Sequence, residues 1–174
     1  MSGPESGPIG VLFLCMGNIC RSPLAEGIFV HLARERGVAD RFLVDSCGTG
    51  GWHVGHRPDP RSIAVAERHG VDLPSRARQL DAAGDRAAFD LIVAMDRENR
   101  ADALAAGVPR EKVVLMRDFA PGTPKDSDVP DPYYGGPDGF DRVYAMLVAA
   151  CGGLLDHLLD GAQRSGAGRE NPRD

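Results

Sequence analysis

A single α/β domain, built on a parallel sheet with helices on both faces, is the architecture this sequence predicts. Three observations carry the prediction. Short, wholly apolar runs recur along the chain, each followed by a loop and then a periodic helical pattern. Two of the helix starts are written as a capping residue followed by proline, Ser22-Pro23 and Asp59-Pro60. The length, 174 residues, suits one domain able to bury about two-thirds of its unfolded surface. Alternating strands and helices imply parallel pairing and right-handed crossovers.

The elements follow in order. Residues 1–9 are rich in Gly, Pro and Ser and read as a disordered tail. The apolar run 11–14 suits a strand covered on both faces. The loop 15–21 precedes a helix capped by Ser22, with Leu24, Ile28 and Leu32 facing inward and Gly37 as its stop. A second strand is expected at 42–44. A short helix then starts at Asp59-Pro60, with Ile63, Ala64 and Glu67 at helical spacing and Gly70 as its end. The third strand falls at 91–95. Asp96 caps the following helix, which has Leu104 on its buried face and stops at Gly107. The fourth strand is 113–116. Segment 120–139 is a long loop of prolines, glycines and aspartates, and a structureless loop of that length marks a functional element. A last helix runs from near Gly139 to about Leu159 on a stripe of Phe140, Val143, Leu147, Ala150, Leu154 and Leu158. The domain is thus placed at 10–161, with a second disordered tail at 162–174.

Composition excludes several classes. Net charge is −5, which argues against a sequence-independent nucleic-acid binder, since such binding needs Lys and Arg on phosphates. No apolar run reaches the roughly 18 residues of a membrane helix, and the N-terminus lacks the charge pattern of a secretory signal. A cytoplasmic protein without membrane partners is expected. Its four cysteines, Cys15, Cys20, Cys47 and Cys151, then read as free thiols.

The chemistry concentrates in Cys15-Met16-Gly17-Asn18-Ile19-Cys20-Arg21-Ser22-Pro23. A cysteine, five residues and an arginine lie between a strand end and a helix start. Open α/β sheets bind ligands at strand carboxyl ends, and a helix N-terminus favours an anion. Gly17 allows the backbone to curl into a nest of N–H groups, and Asn18 suits a left-handed conformation. Such a nest favours the thiolate form of Cys15, the nucleophile. Arg21 presents a planar fork for two phosphoryl oxygens, which lysine does not. Ser22 has two readings, helix cap and hydroxyl donor to the Cys15 sulfur. A nucleotide-binding loop is excluded by the lack of a G-x-x-x-x-G-K-[ST] string. A zinc site from Cys15 and Cys20 with Cys47, His53 or His56 lacks paired C-x2-C spacing, and Arg21 would repel the dication. No metal or cofactor is expected.

The string Cys15 to Ser22 resembles the phosphate-binding loop of the low-molecular-weight protein tyrosine phosphatases. The resemblance extends over roughly residues 9–160. Trp52-His53-Val54-Gly55 is similar to the family's aromatic wall, and Asp59-Pro60-Arg61 and Ala77-Arg78-Gln79 match further landmarks. Asp131-Pro132-Tyr133-Tyr134-Gly135-Gly136 resembles the loop carrying the general acid and two tyrosines. The resemblance implies a four-stranded sheet in the order 2-1-3-4 and a two-step reaction. Cys15 forms a phosphocysteine, and Asp131 first protonates the leaving phenolate and then serves as base for water. It implies that Asn18 and Ser46 lock the loop, and that Cys15 and Cys20 form a reversible disulfide under peroxide. Trp52, Tyr133 and Tyr134 suit the walls of a cleft for an aromatic phosphoester. The implied partners are phosphotyrosine-containing proteins, with phosphate and inhibitory oxyanions at the loop, and the implied state is a monomer or weak dimer. The chain departs from the family at Ser75, where many members place a histidine that supports the loop.

Three other functions compete. Thioredoxin-coupled arsenate reductases need two further, closely spaced cysteines, but nothing between Cys47 and Cys151 is cysteine. Protein-arginine phosphatases typically carry threonine before the second loop cysteine, where this chain has Ile19. A non-catalytic phosphoprotein-binding module would be expected to lose Cys15 or Asp131, and both are present.

Overall fold

The computed structural model describes residues 7–167. Four parallel strands, β1 (Ile9–Cys15), β2 (Phe42–Gly48), β3 (Leu91–Ala94) and β4 (Val113–Leu115), form one sheet in the order β2-β1-β3-β4. The central strand β1 pairs with β2 from Ile9↔Phe42 to Cys15↔Gly48 and with β3 from Val11↔Leu91 to Leu14↔Ala94. Five α-helices surround it: α1 (Arg21–Glu35), α2 (Pro60–Arg68), α3 (Ala82–Ala88), α4 (Arg97–Ala105) and α5 (Gly139–Ala167).

The apolar run of β1 is continuous because both of its faces are covered. Val11, Phe13 and Cys15 pack in one cluster with Leu24 and Ile28 of α1, Val65 of α2, and Leu147 and Leu154 of α5. Leu12 and Leu14 face the other way, with Ala103 of α4, Phe89 and Val108. Three helices stop on left-handed glycines, Gly37, Gly70 and Gly107 (φ 68, 73 and 103°).

Several expectations are corrected. Helix α1 begins at Arg21 with Cys20 at the cap position, so Ser22 lies inside the first turn and does not cap it. On α2 the buried residues are Ser62, Val65 and Ala66, while Ala64 and Glu67 are exposed. Helix α3 is an element the apolar pattern does not show. It is short and organised by a buried carboxylate: Asp85 accepts the Asp81 N–H at 2.8 Å and two bonds from Arg78 at 3.0 Å. Helix α5 continues through Ala167, past Leu159, so 162–167 are helical. By length and hydropathy, Gly139–Ala162 is sufficient to cross a membrane, which the reading of apolar runs did not anticipate. Its apolar stripe packs against α1 and the sheet. Of the tails expected at 1–9 and 162–174, residues 1–6 and 168–174 lie outside the described residues, and Ile9 already belongs to β1.

Candidate active site

The loop 15–21 leaves the carboxyl end of β1 and enters α1, with its backbone turned outward-in. The Cys15 and Met16 carbonyls accept the N–H groups of Thr49 (2.9 Å) and Gly50 (3.0 Å). The Ile19 carbonyl accepts the Asp59 N–H at 2.7 Å, and the Cys20 carbonyl accepts the Ser62 hydroxyl at 3.2 Å. In a trans peptide the N–H points opposite to the C=O. Four carbonyls drawn outward therefore direct the N–H groups of Met16, Gly17, Cys20 and Arg21 toward the concave side. The first turn of α1 receives no side-chain cap, so its dipole and free donors serve the same hollow.

The left-handed residue that makes the curl is Asn18, with φ 55°. Gly17 is not among the positive-φ glycines, and its role is spatial. A Cβ there would stand 3.1 Å from Cδ2 of His53. Asn18 is buried and uses its whole amide. Nδ2 donates to Ser22 Oγ (2.8 Å) and Ser46 Oγ (3.0 Å), and Oδ1 accepts the Arg78 N–H (3.0 Å). The Ser22 hydroxyl lies 3.0 Å from the Cys15 sulfur. Asn18, Ser22 and Ser46 thus stand behind the loop and fix its shape.

Arg21 is only 2% exposed. Its Nη1 donates to Asp96 Oδ2 at 2.6 Å and to the Val129 carbonyl at 2.9 Å, and its Nη2 lies 3.6 Å from Asp131 Oδ2. Burial works against the guanidinium charge, but Cys15, Asp96 and Asp131 outweigh it and raise Arg21 above its ordinary value. Burial, followed by Asp59, Cys15 and Asp131, pushes the Cys20 thiol up to about 12. Cys20 is therefore a protonated thiol at neutral pH. Burial raises Cys47 and Cys151 as well, and all four cysteines are free.

The long loop is pinned just before Asp131. Val129 donates to the Met95 carbonyl at 2.8 Å, and Arg117 reaches the Asp128 carbonyl at 3.1 Å. Asp131 then folds on itself, Oδ1 accepting the Tyr133 N–H at 3.1 Å. Asp59 and Arg61 support the next turn. Asp59 grips the Arg61 guanidinium through two bonds of 3.0 Å, which holds its carboxyl below the usual range. Arg61 donates to the Tyr133 carbonyl at 3.2 Å and stacks over the rings of Tyr133 and Phe140.

These elements enclose a cleft of about 300 Å³. Cys15, Cys20 and Arg21 lie at its base with Met16, Gly17 and Ile19, and Asp131 lines it too. Trp52, Tyr133 and Tyr134 form the walls, and Trp52 and Tyr134 are exposed. Among the described residues, no group of three or more His, Cys, Asp or Glu is placed to hold a metal ion.

The profile of the family described as "Low molecular weight phosphotyrosine protein phosphatase" matches residues 10–164. The chain belongs to this family. A Schizosaccharomyces pombe low molecular weight phosphotyrosine protein phosphatase is 46% identical over 144 residues, 80% of this chain and 90% of that protein. The crystal structure of a protein tyrosine phosphatase from Entamoeba histolytica is 36% identical, with a TM-score of 0.82, covering 88% of this chain and 99% of that one. A Drosophila arginine phosphatase is 34% identical, with a TM-score of 0.76, over 85% and 96% of the two chains. The phosphatase fold thus spans nearly the whole described chain.

Sequence reasoning missed four contributors to this phosphatase site. Asp96 was read only as a helix cap, yet it also holds Arg21. His53 lines the cleft. Arg78 ties the loop to Asp45 and Asp85. Gly48 lies under the loop, where a Cβ would meet the Met16 oxygen at 2.8 Å. For Arg78 the signal was the Ala77-Arg78-Gln79 landmark and for His53 the Trp52-His53-Val54-Gly55 string, whereas for Asp96 and Gly48 only proximity in space reveals the role.

Proposed function

We propose that this chain hydrolyses phosphotyrosine in proteins through a phosphocysteine intermediate. The observation that carries this reading is a thiol and a guanidinium fork at the base of an aromatic-walled cleft, with a carboxyl 3.6 Å from the fork. The Cys15 thiolate attacks phosphorus, and the bond to the phenolic oxygen breaks. The protonated Asp131 gives its proton to that oxygen, which would otherwise leave as the phenolate of a phenol with a pKa of about 10. Arg21 and the loop N–H groups hold the equatorial oxygens, the main catalytic task in phosphoryl transfer. Asp131 then takes a proton from water as the water attacks phosphorus, the S–P bond breaks with the Cys15 thiolate as leaving group, and inorganic phosphate is the product. The Ser22 hydroxyl, 3.0 Å from the sulfur, stabilises the thiolate on departure. Tyr133, Tyr134 and Trp52 stack against the aryl group. The partners of this reading are phosphotyrosine-containing proteins, with phosphate and vanadate as ligands of the loop, and the working unit is a monomer or weak dimer.

Arginine dephosphorylation is the second reading, supported by the likeness to the Drosophila arginine phosphatase. Ile19 and the paired tyrosines favour the phenolic ester. The test is turnover of phosphotyrosine, phosphoarginine and phosphoserine peptides side by side in EDTA, with and without vanadate. Preferred phosphotyrosine turnover, indifferent to EDTA and blocked by vanadate, is the expected result. Preferred phosphoarginine turnover would overturn the substrate assignment.

A further inference from the structure

Behind the loop lies a buried carboxyl that the reaction does not use. Glu26 projects from α1 and is only 6% exposed. Its Oε2 accepts the hydroxyl of Ser75, whereas Oε1 is buried with no hydrogen-bond partner among the described residues. The Ser46 hydroxyl also acts on this carboxyl. From Ser46 a chain of short contacts runs to the nucleophile: Asn18 Nδ2 to Ser46 Oγ at 3.0 Å, Asn18 Nδ2 to Ser22 Oγ at 2.8 Å, and Ser22 Oγ to Cys15 Sγ at 3.0 Å. Ser46, Asn18 and Ser22 are each no more than 2% exposed.

We propose that Glu26 carries its proton in the folded enzyme, and that this neutral acid is a positioning residue closing the Ser46–Asn18–Ser22 chain that holds Cys15. The argument is one of unmet charge. A buried carboxylate needs a cation or a full set of donors, and a buried neutral acid needs far less. The cation acting on Glu26 is Arg78, which is already engaged by Asp45 and by both oxygens of Asp85. Asp45 of β2 adds a repulsive charge. The other charged and titratable groups around it line the adjoining cavity: His31 and Arg34 of α1, Arg57, Glu67 of α2, and Asp72. Burial, the largest influence, raises the Glu26 carboxyl above its ordinary value, and the serine bonds only partly oppose it.

The proposal rests on Cys15 being the group the loop serves, not on the identity of the phosphoester, and its test reads no substrate. Infrared difference spectra of wild type minus Glu26→Gln at pH 7, in H2O and D2O, should show the C=O stretch of a protonated carboxyl, shifted by deuteration. Absence of that band means an ionised Glu26 and overturns the proposal. The positioning half is read by iodoacetate alkylation of Cys15 below neutral pH. Glu26→Ala should slow alkylation about fivefold, the effect of losing about one hydrogen bond, and Glu26→Gln should restore it. Should the alanine variant not fold, Glu26→Met of similar volume replaces it. A Ser46→Ala, Glu26→Ala cycle should be non-additive. Equal alkylation rates in wild type and the apolar variant, or strict additivity, overturn the chain of action.

Discussion

Changing Asp96 to Asn separates two tasks of one carboxylate. Oδ1 accepts the Asn99 N–H at 2.7 Å and caps α4, while Oδ2 accepts Arg21 Nη1 at 2.6 Å. Asparagine keeps an oxygen for the cap but presents N–H groups to the guanidinium. The Arg21 side chain is 3% exposed and that of Asp96 18%, so solvent screens the lost contact poorly. A hydrogen bond between charged groups contributes about 1.5–3 kcal/mol. Nη1 retains the Val129 carbonyl at 2.9 Å, which keeps part of the fork's orientation. The expected loss is therefore about 2 kcal/mol, or about 30-fold weaker vanadate binding. Asp96→Ala loses the cap as well, and urea denaturation should show about 1 kcal/mol less stability than the Asn variant. Vanadate affinity by isothermal titration checks the first figure. An Asn variant that binds vanadate as the wild type does would refute the claim that Asp96 orients the fork. Equal stability of the Asn and Ala variants would refute the capping role.

Gly48→Ala places a Cβ 2.8 Å from the Met16 oxygen and 3.1 Å from the Asn18 nitrogen, both backbone atoms. It should cost about 1–3 kcal/mol in urea denaturation and lower kcat/KM on aryl phosphates; unchanged values of both would show that the loop tolerates displacement. Ile19→Thr should shift preference toward phosphoarginine over phosphotyrosine, and an unaltered ratio of kcat/KM values would refute the substrate reading of that position. The folded state raises the Glu26 carboxyl above 4.5, so the folded chain holds a proton that the unfolded chain releases. That contribution to stability is full below about pH 4.5 and is lost as pH rises through the folded value. Glu26→Gln should therefore flatten the fall in stability above that pH, measured by urea denaturation, and an identical slope in the variant would count against a protonated Glu26. Asp59 has the opposite sign: its carboxyl is held low by Arg61, so its contribution is present above about pH 3.8 and is lost on acidification.

What the chain by itself determined was the sheet and the place of the chemistry. The apolar runs before Cys15, in Leu91–Ala94 and in Val113–Leu115 are strands because a strand buried on both faces must be apolar throughout. The Cys15-to-Arg21 spacing at a strand-to-helix junction marks the anion site because local backbone, not distant packing, makes an N–H nest. Helix α3 was invisible for the opposite reason. It has no apolar period, and a salt bridge from Arg78 to Asp85 organises it. The cap of α1 was misread because Ser22 is a good cap in isolation, whereas in the fold its hydroxyl turns to the Cys15 sulfur. The tertiary structure alone decided how the loop is supported. Glu26 lies on the helix that continues the loop, but Gly48 at the end of β2, Arg78 and Asp96 just after β3 come from distant segments, and only the crossovers of the sheet bring them around Cys15, with β2 and β3 on opposite sides of β1. Helix and strand periods are written in neighbouring residues, but the partners of a buried charge or hydroxyl are chosen by whichever distant segment is packed beside it.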